Sequence, residues 1–332
     1  MSSFVSKLIK YIPIPKTMSF EHAGIDIGTN HIRHVFFGKK GGEMYIKHFG
    51  LYSIPTVTKT TVLSEQEEIL LALKKIQKEC GYRYVEVSLP EDLVYIYTME
   101  VDGHDEESIR TQVEFRIEEN VPLKIDEAIF DVTPVLYLKE SNKSLVSVAV
   151  VSKKVVQDYV SLFRKASMEV VSFLVQNQAL SKTLISKDDE NPYCIVAVEK
   201  RNIVVSIVSA GIVLYTSTLT QSVFKEDLTL ERQEVFQDLV KDIYKVIVFW
   251  LSYIEKNPAY GFKPLKAILL SSTHLDILES TFASVLHQEL GLDVKIADVW
   301  VNVPIQKNTV PDIYKKDSYQ YATAIGLAMP KI

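Results

Sequence analysis

Ile25-Asp26-Ile27-Gly28-Thr29-Asn30 is the stretch on which the reading of this chain turns. It closes an apolar run, residues 23–28, that reads as a strand ending in Asp-Ile-Gly. The chain passes through Thr29 and Asn30 into a second strand over 31–38. Lys39 to Gly42 is turn chemistry, and 43–54 makes a third strand. The spacing of Ile69, Leu70, Leu73 and Ile76 then predicts a helix over 64–80. Ser64 is the expected N-cap, Glu67 completes a capping box, and Gly81 stops the helix.

Outward from there, strands are expected at 84–89 and 93–101. An acidic helix over 105–119 follows, with Ile109, Val113 and Ile117 four residues apart, ended by Val121 and Pro122. Strands at 128–138 and 145–152, a helix over 155–167, a strand near Val170 and a helix over 176–185 complete a first unit. After the polar stretch 187–192 the pattern restarts. Strands fall at 193–198, 203–209 and 212–220, with Ala210-Gly211 as the second turn. A long helix over 230–255, a strand at 265–271, a helix over 274–290, a short strand at 294–297 and a closing helix over 319–327 follow. Three strands, a helix, a strand and a helix occur twice, about 170 residues apart. That echo predicts a duplicated α/β fold with a cleft between the halves, a common place for a ligand. The expected division is 1–19 as a basic amphipathic segment, 20–187 as the first half with an inserted subdomain at about 88–151, and 188–332 as the second half.

Composition narrows the function. The 332 residues carry 37 basic and 42 acidic side chains, net −5, without the basic excess of a nucleic-acid binder. Cys80 and Cys194 are the only cysteines, too few for a disulfide framework or a thiolate metal site. His31 and His34 point to opposite faces of a strand, so they are not a shared metal site. No Gly-x-Ser-x-Gly elbow and no Lys-Ser or Lys-Thr phosphate loop occurs. Asp102, Asp105, Glu106 and Glu107 read as the favourable negative start of a helix. The longest strongly apolar run, 246–251, is too short to cross a bilayer. Apart from Lys245, residues 244–250 are apolar around the whole helix circumference and are expected to be buried. Pro13 and Pro15 break any signal-peptide pattern, so a soluble cytoplasmic protein is expected. Phe4, Val5, Leu8, Ile9 and Ile12, with Lys7, Lys10 and Lys16, suit an anionic membrane surface or a docking partner; a terminal helix packed on its own domain is the alternative.

The Asp26-Ile27-Gly28-Thr29 loop resembles the first phosphate loop of the actin, Hsp70 and sugar-kinase superfamily. The run 112–123, ending Asn120-Val121-Pro122-Leu123, with Asp126-Glu127-Ala128 and Phe130-Asp131 after it, resembles the inserted subdomain of the PilM family of type IV pilus assembly proteins. Ile268-Leu269-Leu270-Ser271, Leu290-Gly291-Leu292-Asp293-Val294 and Ala324-Ile325-Gly326-Leu327-Ala328 resemble that family's adenosine-side strand, the strand after its helix and its closing helix. The resemblance covers about residues 20–330. It implies an actin-like (ribonuclease H-like) fold and a cytoplasmic scaffold peripheral to the inner membrane. Such a scaffold binds the cytoplasmic tail of PilN, a membrane protein, in a groove between the strands at 23–54 and the insertion, with self-association left open. An FtsA-like, ATP-binding polymer-forming protein and, more remotely, a small-metabolite kinase are the alternatives.

The nucleotide elements depart from the family pattern. The residual phosphate loop is Asp26, Gly28, Thr29 and Asn30. Ala197-Val198-Glu199 stands where the second loop has Asp-Ile-Gly, and Ser272, Thr273 and His274 stand where a glycine pair or triplet lets a purine lie flat. A phosphate loop uses glycine so that backbone can approach the anion. A carboxylate about 4 Å from a phosphate charge, at an effective dielectric of about 20, costs about 4 kcal/mol. Lys200 and Arg201 offset that only if they turn inward, and Thr273 doubles as the N-cap of the next helix. No cofactor, no metal and no catalytic residue are expected, with magnesium ATP as the cofactor left open.

Overall fold

The protein's computed structural model describes residues 21–40, 43–58, 60–199, 202–220, 233–279, 281–303 and 313–330. The basic amphipathic segment 1–19, Gly41 and Gly42 of the first expected turn, Lys200, Arg201, and residues 230–232 at the expected opening of the long helix lie outside the described residues.

The chain runs through strands Ala23–Ile27 (β1), His31–Lys40 (β2) and Glu43–Ser53 (β3), helix Glu67–Cys80 (α1) and strand Tyr84–Leu89 (β4). It then leaves for strand Val94–Asp102 (β5), helix Glu106–Phe115 (α2), and strands Ala128–Leu138 (β6) and Lys143–Ser152 (β7). Helix Lys153–Lys165 (α3), strand Glu169–Val175 (β8) and helix Gln176–Leu184 (α4) bring it back. The plan repeats as Tyr193–Val198 (β9), Asn202–Ser209 (β10), Ile212–Thr220 (β11), helix Gln233–Lys256 (α5) and Ala267–Ser272 (β12). Helices Leu275–Glu279 (α6) and Phe282–Leu290 (α7), strand Val294–Ile296 (β13) and helix Ala322–Ala328 (α8) complete it.

Two five-stranded sheets result, ordered β3-β2-β1-β4-β8 and β11-β10-β9-β12-β13. In each, the first three strands are antiparallel and the last two join in parallel. The central strands β1 and β9 are buried throughout, which is why both read as apolar runs, interrupted in β1 by Asp26 alone, rather than as alternating ones. β5, β7 and β6 form a separate antiparallel sheet backed by α2 through Ile109 and Val113.

Helices α1 and α3 cover one face of the first sheet, and α5, α6 and α7 one face of the second. A third core lies between the sheets, built from Val35 and Phe37 of β2, Leu180 and Leu184 of α4, Ile195 and Ala197 of β9, and Ala324 and Ile325 of α8. Glycine sets how closely α8 lies. A Cβ on Gly24 of β1 would stand 2.2 Å from the Ala324 carbonyl oxygen, and one on Gly326 of α8 would stand 2.0 Å from that of Ala179 in α4. Thr183 Oγ1 donates to the Ala322 carbonyl at 2.8 Å across the same contact.

Several local expectations change. Ser64 does not cap α1: it sits in a 3-10 turn, Leu63–Glu65, and the helix starts at Glu67 without a side-chain cap from Gln66. The orphan amides of that turn are taken by Asp158 of α3, which accepts from Leu63 N at 2.6 Å and Ser64 N at 2.9 Å. The acidic helix breaks at Arg116, where ψ reaches 5°, and resumes as one turn over Ile117–Asn120. The helix expected over 274–290 is two helices, and the first turn of the closing helix, Tyr319–Tyr321, is 3-10. Because α6 begins at Leu275, His274 rather than Thr273 holds the cap position. Residues 244–250 are not buried all round. Ile243, Val246, Ile247 and Trp250 pack on the second sheet, whereas Tyr244, Val248, Phe249 and Leu251 are exposed. One sheet face can cover only one side of a helix.

Candidate functional site

β1 delivers the Asp-Ile-Gly segment to the end of the first sheet facing the second. Asp26 is buried there, 5% exposed, because its carboxylate is satisfied: Ser88 of β4 donates to Oδ1 at 2.6 Å, and Arg33 Nη1 lies 3.6 Å from Oδ2. Gly28 donates its N–H to the His31 carbonyl at 2.9 Å, closing a turn with Thr29 and Asn30 at its centre. A Cβ at Gly28 would meet Arg33 Nη1 at 2.9 Å, so the glycine also makes room for the guanidinium. The carbonyls of Thr29 and Asn30 accept from Val57 N at 2.6 Å and Ile54 N at 3.0 Å, binding the turn to the segment after β3.

β9 brings Glu199 to the opposite wall. Its amide donates to the Asn202 carbonyl at 2.9 Å, and its carboxylate accepts from Gln176 Nε2, the first residue of α4. Burial, then the nearby Asp26 charge, push the Glu199 carboxyl upward, with Arg33 and Gln176 opposing. The residue thus spans the cleft to α4 and is held.

Asp26, Gly28, Thr29 and Glu199 border one cavity of about 480 Å³. Thr29, Asn30, Glu199, Thr273 and His274 border an adjoining recess of about 180 Å³. Ser272 is buried, donating to the Val198 carbonyl at 2.9 Å and accepting from the His274 amide at 3.0 Å. It ties β12 to β9. Ala197 is buried in the core between the sheets and borders a third, narrow space with Ser272 and Thr273.

Arg33, Ser88 and Gln176 escaped the sequence reading, and so did three further residues. Glu91, on the 3-10 turn Glu91–Leu93 after β4, is 5% exposed and borders the main cavity. Its Oε1 accepts from the Asn177 amide in α4 at 2.8 Å, while Oε2 has no hydrogen-bond partner. Burial, with Asp92 and Glu199 adding to it, pushes its carboxyl up to about 8. Tyr159 of α3 borders the same cavity, 2% exposed, with an unpartnered hydroxyl raised by burial. Asn177 is fully buried, donates to Ser206 Oγ, and leaves Oδ1 without a partner. No motif announces these positions; the one signal is a Tyr at helical spacing among the apolar residues of α3.

Among the described residues no cluster of His, Cys, Asp or Glu has the spacing to hold a metal ion, and no helix is long and apolar enough to cross a membrane.

Comparison with known proteins gives the fold a family. The model of the type IV pilus assembly protein PilM matches residues 24–225. Among solved structures, PilM from a PilM-PilN type IV pilus biogenesis complex overlays with a TM-score of 0.69 at 19% identity, over 93% of this chain and 98% of that one. The ethanolamine utilization protein EutJ of Carboxydothermus hydrogenoformans overlays at a TM-score of 0.46 and 12% identity, over 96% and 91% of the two chains. The cytoplasmic domain of EpsL, an inner-membrane component of the Vibrio cholerae type II secretion system, reaches 0.44 at 10% identity, over 64% and 78%. No curated protein sequence matches. With the family model spanning well over half its length, the chain belongs to the PilM family of type IV pilus assembly proteins.

Proposed function

We propose that the protein is a cytoplasmic scaffold of a type IV pilus or a related secretion or competence machine, holding the cytoplasmic tail of a PilN-like inner-membrane protein. The observation that carries this reading is the family match over residues 24–225, joined to the overlay on PilM from its complex with PilN. The groove for the tail lies between β1 to β3 and the inserted sheet. β3 is an edge strand of the first sheet, and an extended peptide added at such an edge gains backbone hydrogen bonds and side-chain pockets. In this reading the segment 1–19 adds a second, weaker hold on the inner membrane.

The cleft is read as closed to ATP. In this reading Glu199 stands at the second phosphate position as a held, half-buried side chain, and Asp26 and Glu91 border the same space. A triphosphate would meet the Glu199 side chain where a phosphate loop uses glycine to bring backbone to the anion. One observation favours the competing reading, an ATP-regulated polymer-forming protein: the Asp26-Ile27-Gly28-Thr29 turn is retained at the cavity wall. A thermal-shift titration with magnesium ATP separates the two. The scaffold reading expects no shift, and a saturable rise in Tm that disappears in Gly28→Val would favour the nucleotide switch. Calorimetry with a short synthetic PilN-type tail tests the partner. Saturable binding weakened by substitution along β3 is expected, and a tail that does not bind the full chain would remove the scaffold assignment.

A further inference from the structure

Helix α5 buries one side on the second sheet through Ile243, Val246, Ile247 and Trp250, and on one flank Phe249 meets the rings of Tyr215 and Tyr253. Its outward side carries a second apolar seam. Tyr244, Val248 and Leu251 are 53%, 37% and 44% exposed. Gln237 and Lys241 continue the line toward the start of the helix and Glu255 toward its end, and all six are exposed. The steps between them are four, three, four, three and four residues, the spacing of the a and d positions along one face of a coiled-coil helix.

A helix on a protein surface ordinarily turns polar side chains outward, and single exposed apolar residues need no explanation. Three in succession on one seam, at the spacing that keeps a partner helix in register, do need one. Tyr244 suits such a place, because its ring offers a large apolar face while its hydroxyl stays wet.

The charges name the partner. Val248 stands midway along the seam, with Lys241 seven residues before it and Glu255 seven after. Turned end over end about Val248, the seam matches itself. Lys241 of each copy then faces Glu255 of the other, Tyr244 faces Leu251, and Val248 meets its own counterpart. A parallel pairing would set lysine on lysine and glutamate on glutamate. Lys241 Nζ already donates to Asp238 Oδ1 at 2.9 Å, but both side chains are about two-thirds exposed, and such a pair holds a lysine weakly.

We propose that α5 is a homodimer contact in which two copies of the chain pair this seam antiparallel, about a twofold axis at Val248. The contact is isologous, so it closes at two copies. It lies on the face of the second sheet opposite α4 and α8, and uses neither the cleft nor the edge strand β3. Over 237–255 the seam is about 27 Å long, short for a permanent interface, so the dimer is weak and concentration-dependent.

Sedimentation velocity of the full chain from about 1 to about 100 µM tests this, and a reversible monomer–dimer shift is expected. Val248→Asp sets two carboxylates against each other at the centre and should weaken the dimer roughly a hundredfold. Lys241→Glu and Glu255→Lys should each weaken it about tenfold, and the two variants mixed in equal amounts should pair with each other about as well as wild type does with itself. All three positions are exposed, so these substitutions spare the fold, and an unchanged Tm checks that. Oxidation of Val248→Cys should join two chains through residue 248, mapped by peptide mass against the background of Cys80 and Cys194. A chain that stays monomeric across the range, a dimer that survives Val248→Asp, or single variants whose mixing restores nothing would each overturn the proposal. The first result would leave the seam to a different protein, the second would move the contact to another face, and the third would exclude the antiparallel register.

Discussion

A carboxyl group with a pKa near 8 inside a cleft costs the fold more as pH rises. Glu91 is raised from its ordinary value of 4.5 to about 8, so its protonated form favours folding fully below about 4.5, and that contribution is lost as pH climbs through about 8. Glu91→Gln should therefore melt near wild type at pH 5 and several degrees above it at pH 9, read by calorimetry at both pH values. His34 works in the opposite direction. It is 1% exposed, its Nδ1 lies 2.9 Å from the Tyr82 hydroxyl, and burial with the neighbouring His48 lowers it from 6.5 to about 4, against a smaller opposing effect of Glu79. Its neutral form stabilises the fold above about pH 6.5, and this is lost as pH falls through about 4, a contribution of roughly 3 kcal/mol. Urea midpoints measured from pH 7 to pH 4 should fall steeply for wild type and less steeply for His34→Gln; parallel slopes would remove the assignment. These two groups show where sequence reading stops. Pro90-Glu91-Asp92 reads as a solvated turn, and nothing local says that α4 will bury Glu91. Asp26, Gly28, Thr29 and Glu199 could be placed together from the sequence because the resemblance to the PilM family sets them at its first and second phosphate loops.

At the scale of elements, the 3-10 turn Leu63–Glu65 depends on a residue nearly a hundred positions away. Asp158 receives the Leu63 and Ser64 amides, and Leu63 is itself buried at the cavity wall. Asp158→Ala should cost about 1–2 kcal/mol in urea unfolding, as loss of a helix cap does, with Asp158→Asn between it and wild type. Local chemistry pointed to Ser64 instead, because Ser64 and Glu67 have capping-box spacing; a charged acceptor with two oxygens outcompetes a hydroxyl for two amides. The strands were legible for the opposite reason. β9 is an apolar run that follows the polar stretch 187–192, and β10 ends at the Ala210-Gly211 turn, so these bounds depend on little outside themselves. α5 misled because its exposed side is also apolar. Tyr215 of β11 lies against Phe249 with ring centroids 4.6 Å apart, so this face is partly covered from the side.

For the whole molecule, the decisive arrangement is the pair of helices α4 and α8 between the two sheets, sharing one core with both. Gly326→Ala would drive a methyl into the backbone of α4, where no flexible side chain can give way, and should cost about 3 kcal/mol or more. Thermal unfolding should show a single transition displaced downward, because the damaged contact belongs to both halves. Two transitions with only one displaced would contradict a shared core. Amides of α4 and α8 should likewise exchange only by global opening, alongside those of β1 and β9.

The packing of α8 on β1 also fixes when this protein can mature. Gly24 lies against Ala324 and Leu327, some three hundred residues further along. Ribosomes add about 5–20 residues per second, so Val35 and Phe37 stay uncovered for tens of seconds while the rest is made. The first half therefore leaves the ribosome with its inner face uncovered, and that face is completed only once α8 has been made.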